Sequence, residues 1–198
     1  EGANEKETDN AENQAQSDTE RTAESTGEAT QNTAPTSEAS TQPEKKVLRT
    51  AIVYSPVTGI AADLSTAPDE GFAEGMMGEG AVVTPKDPVI CAPEDGEVEF
   101  IFDTKHAIGL ATESGLELLI HIGVDTVELG GKFYTAHVKD GDVVKKGQTL
   151  ITFDMDAIKA AGYDVTTPLI VTNTDDYEEV KMLAEGTVNN GSEVLEVK

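Results

Sequence analysis

From residue 47 onward the apolar residues arrive in runs of strand length, and each run is closed by turn chemistry. VLRTAIVYSP (47–56), VEFIFDT (98–104), AIGLAT (107–112), LELLIHIG (116–123) and QTLITFD (148–154) mix alternating and continuous apolar patterns. Between them stand Pro-Val-Thr-Gly, Pro-Glu-Asp-Gly, Glu-Ser-Gly and Lys-Asp-Gly-Asp, which favour turns because Gly, Asp and Pro supply the required backbone angles. Only two short segments read as helical, 69–77 and 156–161, the second ending before Gly162, where a left-handed cap fits. The SPVTGIA and APEDGEV segments both place a Pro-x-x-Gly turn before a strand. VKDGDVVKKGQTL (138–150) has the cadence of a tight β corner. Repeated turn-strand units suit an all-β sandwich or barrel better than an α/β sheet.

Residues 1–46 are different. They contain no aromatic residue and almost no Leu, Ile or Val, so they cannot bury enough apolar surface to offset the entropy of ordering. The expected organisation is a disordered acidic Ser/Thr/Glu/Ala-rich linker over 1–46 and one domain over 47–198. The first residue is Glu rather than Met, which favours a fragment or the C-terminal part of something larger.

The formal net charge of -24 opposes contact with nucleic acid or anionic lipid, both of which demand clustered Lys and Arg. It fits either simple solubility or an acidic docking face for a basic partner. The single cysteine, Cys91, excludes a disulfide framework and suits the cytoplasm, and within PVICAP it reads as a small core residue. No apolar run approaches the roughly 18 residues of a membrane span, and no signal-peptide pattern is present.

Two of the three histidines flank one predicted hairpin, His106 opening the strand KHAIGLAT and His121 near the end of LELLIHIG. A two-residue Glu113-Ser114 loop would set them directly opposite, and a Ser114-Gly115 loop would make them diagonal neighbours. Either register puts both imidazoles on one face, with Cβ atoms roughly 4.5 to 8 Å apart. Such a pair could share a metal, divide acid and base work, or handle a phosphoryl group, unless each is an unrelated strand histidine with its own hydrogen bond. His137, in TAHVKDGD, reads as structural.

The segments HIGVDTVEL (121–129), TKHAIG (104–109), PDEGFAEGMMGEG (68–80), SPVTG (55–59) and APEDG (92–96) resemble those of the glucose-family IIA domains of the sugar phosphotransferase system. The likeness runs from about residue 48 to the C-terminus. TFDMDAIKAAGYDVTTPLIVTN (152–173) looks more like the β-glucoside, sucrose and trehalose branch, which usually carries IIA at the C-terminus of a membrane permease. The resemblance implies an antiparallel β sandwich of the barrel-sandwich hybrid type. It also implies a cytoplasmic phosphocarrier that takes a phosphoryl group from phospho-HPr on Nε2 of His121 and gives it to a IIB cysteine. Covalent linkage to upstream IIB and IIC domains would follow, without direct membrane contact by this domain. By the same resemblance His106 hydrogen-bonds the phosphoryl oxygens, Thr104 orients His106, and the Gly123 carbonyl holds Nδ1–H of His121. Phe72, Met77 and Val127 match an apolar docking rim, with Asp69 and Asp125 as carboxylates for a basic partner. No cofactor and no metal are called for.

Two rival readings are instructive. A zinc hydrolase of related architecture needs a third ligand, often from His-x-His, which the chain lacks. A lipoyl-type carrier needs a Met-Lys-Met hairpin tip, which is also missing. A regulatory IIA domain fused to a sugar symporter would use the same histidines and stays open at this point.

Overall fold

The computed structural model describes residues 50–198, so the linker expected over 1–46 lies outside the described residues. Fourteen strands follow in order: β1 (Ala51–Tyr54), β2 (Gly59–Asp63), β3 (Glu79–Pro85), β4 (Val89–Cys91), β5 (Gly96–Ile101), β6 (Ala107–Thr112) and β7 (Glu117–His121), then β8 (Tyr134–Ala136), β9 (Val143–Val144), β10 (Thr149–Phe153), β11 (Thr167–Val171), β12 (Val180–Met182), β13 (Gly186–Val188) and β14 (Glu193–Val197). They form one eight-stranded sheet, β13-β2-β3-β11-β7-β6-β5-β9, and two three-stranded sheets, β1-β14-β12 and β4-β10-β8. Each of the paired neighbours runs antiparallel, giving the all-β sandwich that the turn cadence predicts.

The continuous apolar runs have a direct cause. Successive strand side chains point to opposite faces, and the middle of the large sheet is covered on both. One face sends Ala81, Val83, Ile108, Leu118, Ile120, Leu169 and Val171 into the main core. The other sends Val82, Ala107, Leu119 and Ile170 into a smaller cluster closed by Leu64 and Phe72. Phe72 comes from α1 (Glu70–Ala73), capped by Asp69, whose carboxylate accepts from the Phe72 N–H at 3.0 Å. The expected helix over 69–77 is thus only one turn. Gly75, which adopts a positive φ of 67°, ends the helical run and leaves Met76 and Met77 in a turn. α2 (Met155–Ala160) matches its predicted segment, and Gly162 follows it at φ 94°. Cys91 is buried, as its apolar setting suggests.

The hairpin β6-β7 corrects both predicted registers. Its loop has three residues, Glu113-Ser114-Gly115, closed by the Thr112 N–H on the Leu116 carbonyl at 2.9 Å and the Gly115 N–H on the Thr112 carbonyl at 3.0 Å. A turn followed by one residue of positive φ is the usual three-residue solution, and it shifts the pairing by one residue. His121 therefore stands opposite Ala107 rather than beside His106 in the ladder.

Double-sided burial makes a testable claim. Leu119 points away from the main core, yet Leu119→Ala should cost about 2–5 kcal/mol in denaturant unfolding, as for a buried leucine. A loss under about 1 kcal/mol would show that the second face contributes little.

Candidate active site

His121 is the last residue of β7, and its side chain lies on the same face as Leu119 and Ala107, above the smaller cluster. Alternation alone would send His106 to the opposite face. His106, however, precedes β6 and lies in a bend entered through Lys105 at φ 57°, outside the regular ladder. The two rings consequently meet edge to face, 4.7 Å between centroids at 81°. The expected proximity holds, for a reason other than strand pairing.

Aromatic rings flank the pair on either side. Phe72 lies 5.0 Å from the His121 ring and Phe102 lies 5.3 Å from the His106 ring. Phe102 in turn touches Phe100 at 5.6 Å, edge on. Phe72, expected on the docking rim, is 8% exposed and belongs to the core beneath His121. Met77 and Val127 are exposed, as are Phe100 and Phe102, which sequence reasoning did not single out. The run VEFIFDTKH held a usable signal, since two aromatic residues of like parity stand just ahead of His106. Asp69 is occupied as the α1 cap, and exposed Asp125 holds a left-handed conformation at φ 57° just before the 3-10 turn Thr126–Leu129.

Each imidazole has one committed nitrogen. Nδ1 of His121 is 2.7 Å from the Gly123 carbonyl. A carbonyl only accepts, so Nδ1 carries the proton and Nε2 keeps its lone pair. Gly123 can turn back in this way because it adopts φ 84°, and a Cβ there would lie 2.6 Å from the Asp164 carbonyl oxygen. Nδ1 of His106 is 2.6 Å from the Thr104 hydroxyl. His137 makes neither of these contacts and shares a 2.9 Å hydrogen bond between its Nε2 and the Thr152 hydroxyl.

Burial favours the neutral form of both rings. His106, 3% exposed, is pushed down to about 4, first by burial and then by the neighbouring His121. Burial also lowers His121, opposed by its bond to Gly123 and by the charges of Asp69 and Asp125. The site thus presents neutral imidazoles near neutral pH with two carboxylates close enough to stabilise positive charge on His121. Among the described residues no group of three or more His, Cys, Asp or Glu side chains is arranged to hold a metal ion.

The unfolded chain protonates the His106 imidazole near pH 6.5, whereas the folded chain resists until about pH 4. Stability therefore rises with pH across this window and is lost as pH falls through it. His106→Gln should reduce the acid-side loss between these limits by about 3 kcal/mol in urea titrations. An unchanged pH dependence would contradict the burial of a neutral ring.

A family model for the phosphoenolpyruvate-dependent sugar phosphotransferase system, EIIA 1, matches residues 51–177. The chain is 46% identical over 151 residues, or 76% of its length, to a PTS system beta-glucoside-specific EIIBCA component of Dickeya chrysanthemi. It is 46% identical over 146 residues to a PTS system glucose-specific EIIA component of Oceanobacillus iheyensis, covering 73% of this chain and 88% of that protein. The glucose permease IIA structure from Mycoplasma capricolum superposes with a TM-score of 0.70 at 32% identity, covering 75% of this chain and 96% of the other. The chain spans 21–24% of the length of the beta-glucoside EIIBCA relatives that it matches. With the sandwich and the histidine pair in place, this chain belongs to the EIIA 1 family of the phosphoenolpyruvate-dependent sugar phosphotransferase system and is a glucose-family IIA phosphotransferase domain.

Proposed function

We propose that His121 is the phosphoryl acceptor, that the donor is phospho-HPr, and that the group passes onward to a cysteine of a IIB domain during sugar uptake. The observation that carries this reading is the 2.7 Å contact between Nδ1 and the Gly123 carbonyl, which leaves the Nε2 lone pair as the nucleophile. In acceptance, an Nε2–P bond forms as the N–P bond of the donor phosphohistidine breaks, and no proton need leave His121. The ring gains positive character, which the Gly123 carbonyl, Asp69 and Asp125 stabilise. In donation a thiolate sulfur attacks phosphorus, an S–P bond forms as the Nε2–P bond breaks, and the electron pair returns to Nε2, leaving His121 neutral.

His106 assists rather than reacts. In the tautomer whose Nδ1 accepts from the Thr104 hydroxyl, its Nε2–H is free to donate to a phosphoryl oxygen. Phosphoryl transfer through a loose transition state depends on alignment and charge stabilisation, which this arrangement supplies. Exposed Met77 and Val127, together with Phe102, form the apolar part of the docking face, which keeps water from the labile N–P bond. Asp69 and Asp125 add acidic character for a basic partner. Phe72 acts from below, supporting the His121 ring.

The named relatives are EIIBCA and EIIA components, which favours the transport carrier over a symporter-fused regulator. Covalent linkage to IIB and IIC domains, with 1–46 as the linker and the cytoplasm as the compartment, completes the proposal. Among the described residues no helix is long and apolar enough to cross a membrane.

Incubation with phosphoenolpyruvate, enzyme I and HPr, followed by a IIB domain, tests the division of labour. His121→Gln should take up no label. His106→Gln should still accept phosphate on His121 but donate it roughly 100-fold more slowly, because one stabilising donor is weakened. Label on His106, or uptake by His121→Gln, would reverse the assignment.

A further inference from the structure

Ile122 separates the two residues that set the acceptor nitrogen, and its own side chain is buried in the main core. Both of its backbone polar groups are engaged. Its N–H donates to the His106 carbonyl at 2.6 Å. Its carbonyl accepts two hydroxyls, from Thr126 at 2.8 Å and from Tyr134 at 3.0 Å. A carbonyl has two lone pairs, so this one is saturated. β7 has ended at His121, and two side chains take the place of a ladder partner on this carbonyl.

That carbonyl belongs to the peptide unit leading into Gly123. Glycine has the greatest backbone freedom of any residue, so the joint between His121 and the carbonyl that fixes its tautomer is intrinsically the loosest in the site. The two hydroxyls act on this joint from different directions. Thr126, fully buried, approaches from the 3-10 turn four residues on. Tyr134 approaches from β8 in a separate sheet, its ring stacked on Phe153 at 6.3 Å. Burial pushes the Tyr134 phenol up, so it remains a donor throughout the physiological range. On the far side of Gly123, the Val124 N–H donates to the Asp164 carbonyl at 3.0 Å.

We infer that Tyr134 and Thr126 are positioning residues for phosphoryl transfer, which lock the Ile122–Gly123 peptide so that the Gly123 carbonyl keeps the proton on Nδ1 of His121. The inference rests on His121 being the acceptor. Both hydroxyls bond the Ile122 carbonyl rather than either imidazole, and both residues are buried. The same residue, Ile122, is bonded to His106 through its N–H, so slackening this joint disturbs both imidazoles together.

The test uses the full 198-residue chain with Tyr134→Phe, Thr126→Val, their combination, and Thr126→Ser as the conservative control. Nitrogen-15 NMR of the ring nitrogens reads the tautomer of His121, and rapid-quench labelling by phospho-HPr reads acceptance. The wild-type ring should be a single Nδ1–H tautomer. Tyr134→Phe should admit the Nε2–H form, the combined variant should admit more of it and accept phosphate roughly tenfold more slowly, and Thr126→Ser should behave as wild type. If the combined variant does not fold, Tyr134→Phe, which removes one oxygen atom, carries the test on the same readouts. A folded variant with reduced stability but a wild-type tautomer and rate would overturn the inference, since the hydroxyls would then be structural only. Phosphopeptide mapping of the wild-type chain separates the two possible failures. Label elsewhere than His121 overturns the acceptor assignment, whereas label on His121 with unchanged variants overturns the positioning role alone.

Discussion

The hydrogen bond from Nδ1 of His121 to the Gly123 carbonyl is the interaction on which the rest of the site depends. An imidazole offers two nearly equivalent nitrogens, and a phosphoryl carrier needs one of them to be reliably nucleophilic. A backbone carbonyl two residues away settles the choice without a charged partner, which would itself titrate. The arrangement requires the chain to double back immediately after β7, and Gly123 at φ 84° allows it. Burial acts in the same direction by keeping the rings neutral, while Asp69 and Asp125 oppose full suppression of charge on His121. The ring is thereby held neutral, with two carboxylates that would favour positive character on it.

The fold supplies the rigidity behind this choice. His121 grows out of a strand whose neighbours are covered on both faces, so its backbone is held by β6 and β11 and by two apolar clusters. The smaller cluster reaches the histidine pair directly, because Phe72 both closes it and packs against the His121 ring. Asp69 has a similar double place, capping α1 and contributing charge near the imidazole. One-turn helices are weak by themselves. This one is stable because its single aromatic residue is packed beneath the site.

Much of this is legible in the sequence. Short apolar runs and turn residues identify β6, β7 and β10 closely, since local chemistry and tertiary packing agree there. The histidine pair is legible as motif, and its proximity as geometry, although the geometric route was mistaken. A three-residue loop in place of a two-residue one reverses the parity of the whole hairpin, and only the bend at Lys105 restores His106 to the side of His121. The short strands β4, β8, β9, β12 and β13 have two or three residues each, too few to show a period. Tyr134 was illegible for this reason. It lies on such a strand, thirteen positions beyond His121, and its role arises from a fold-level approach to the Ile122 carbonyl. Phe72 shows the opposite limit, because a motif can name a residue near the chemistry without saying whether it faces solvent or core.

The central claim is that backbone geometry dedicates Nε2 of His121 to phosphoryl transfer. Nitrogen-15 and phosphorus-31 NMR of the ring-labelled, phosphorylated chain reads this directly through the one-bond coupling between nitrogen and phosphorus. The account predicts coupling to Nε2 of His121, with Nδ1 still bearing its proton toward Gly123. Coupling to Nδ1 of His121, or to either nitrogen of His106, would contradict it.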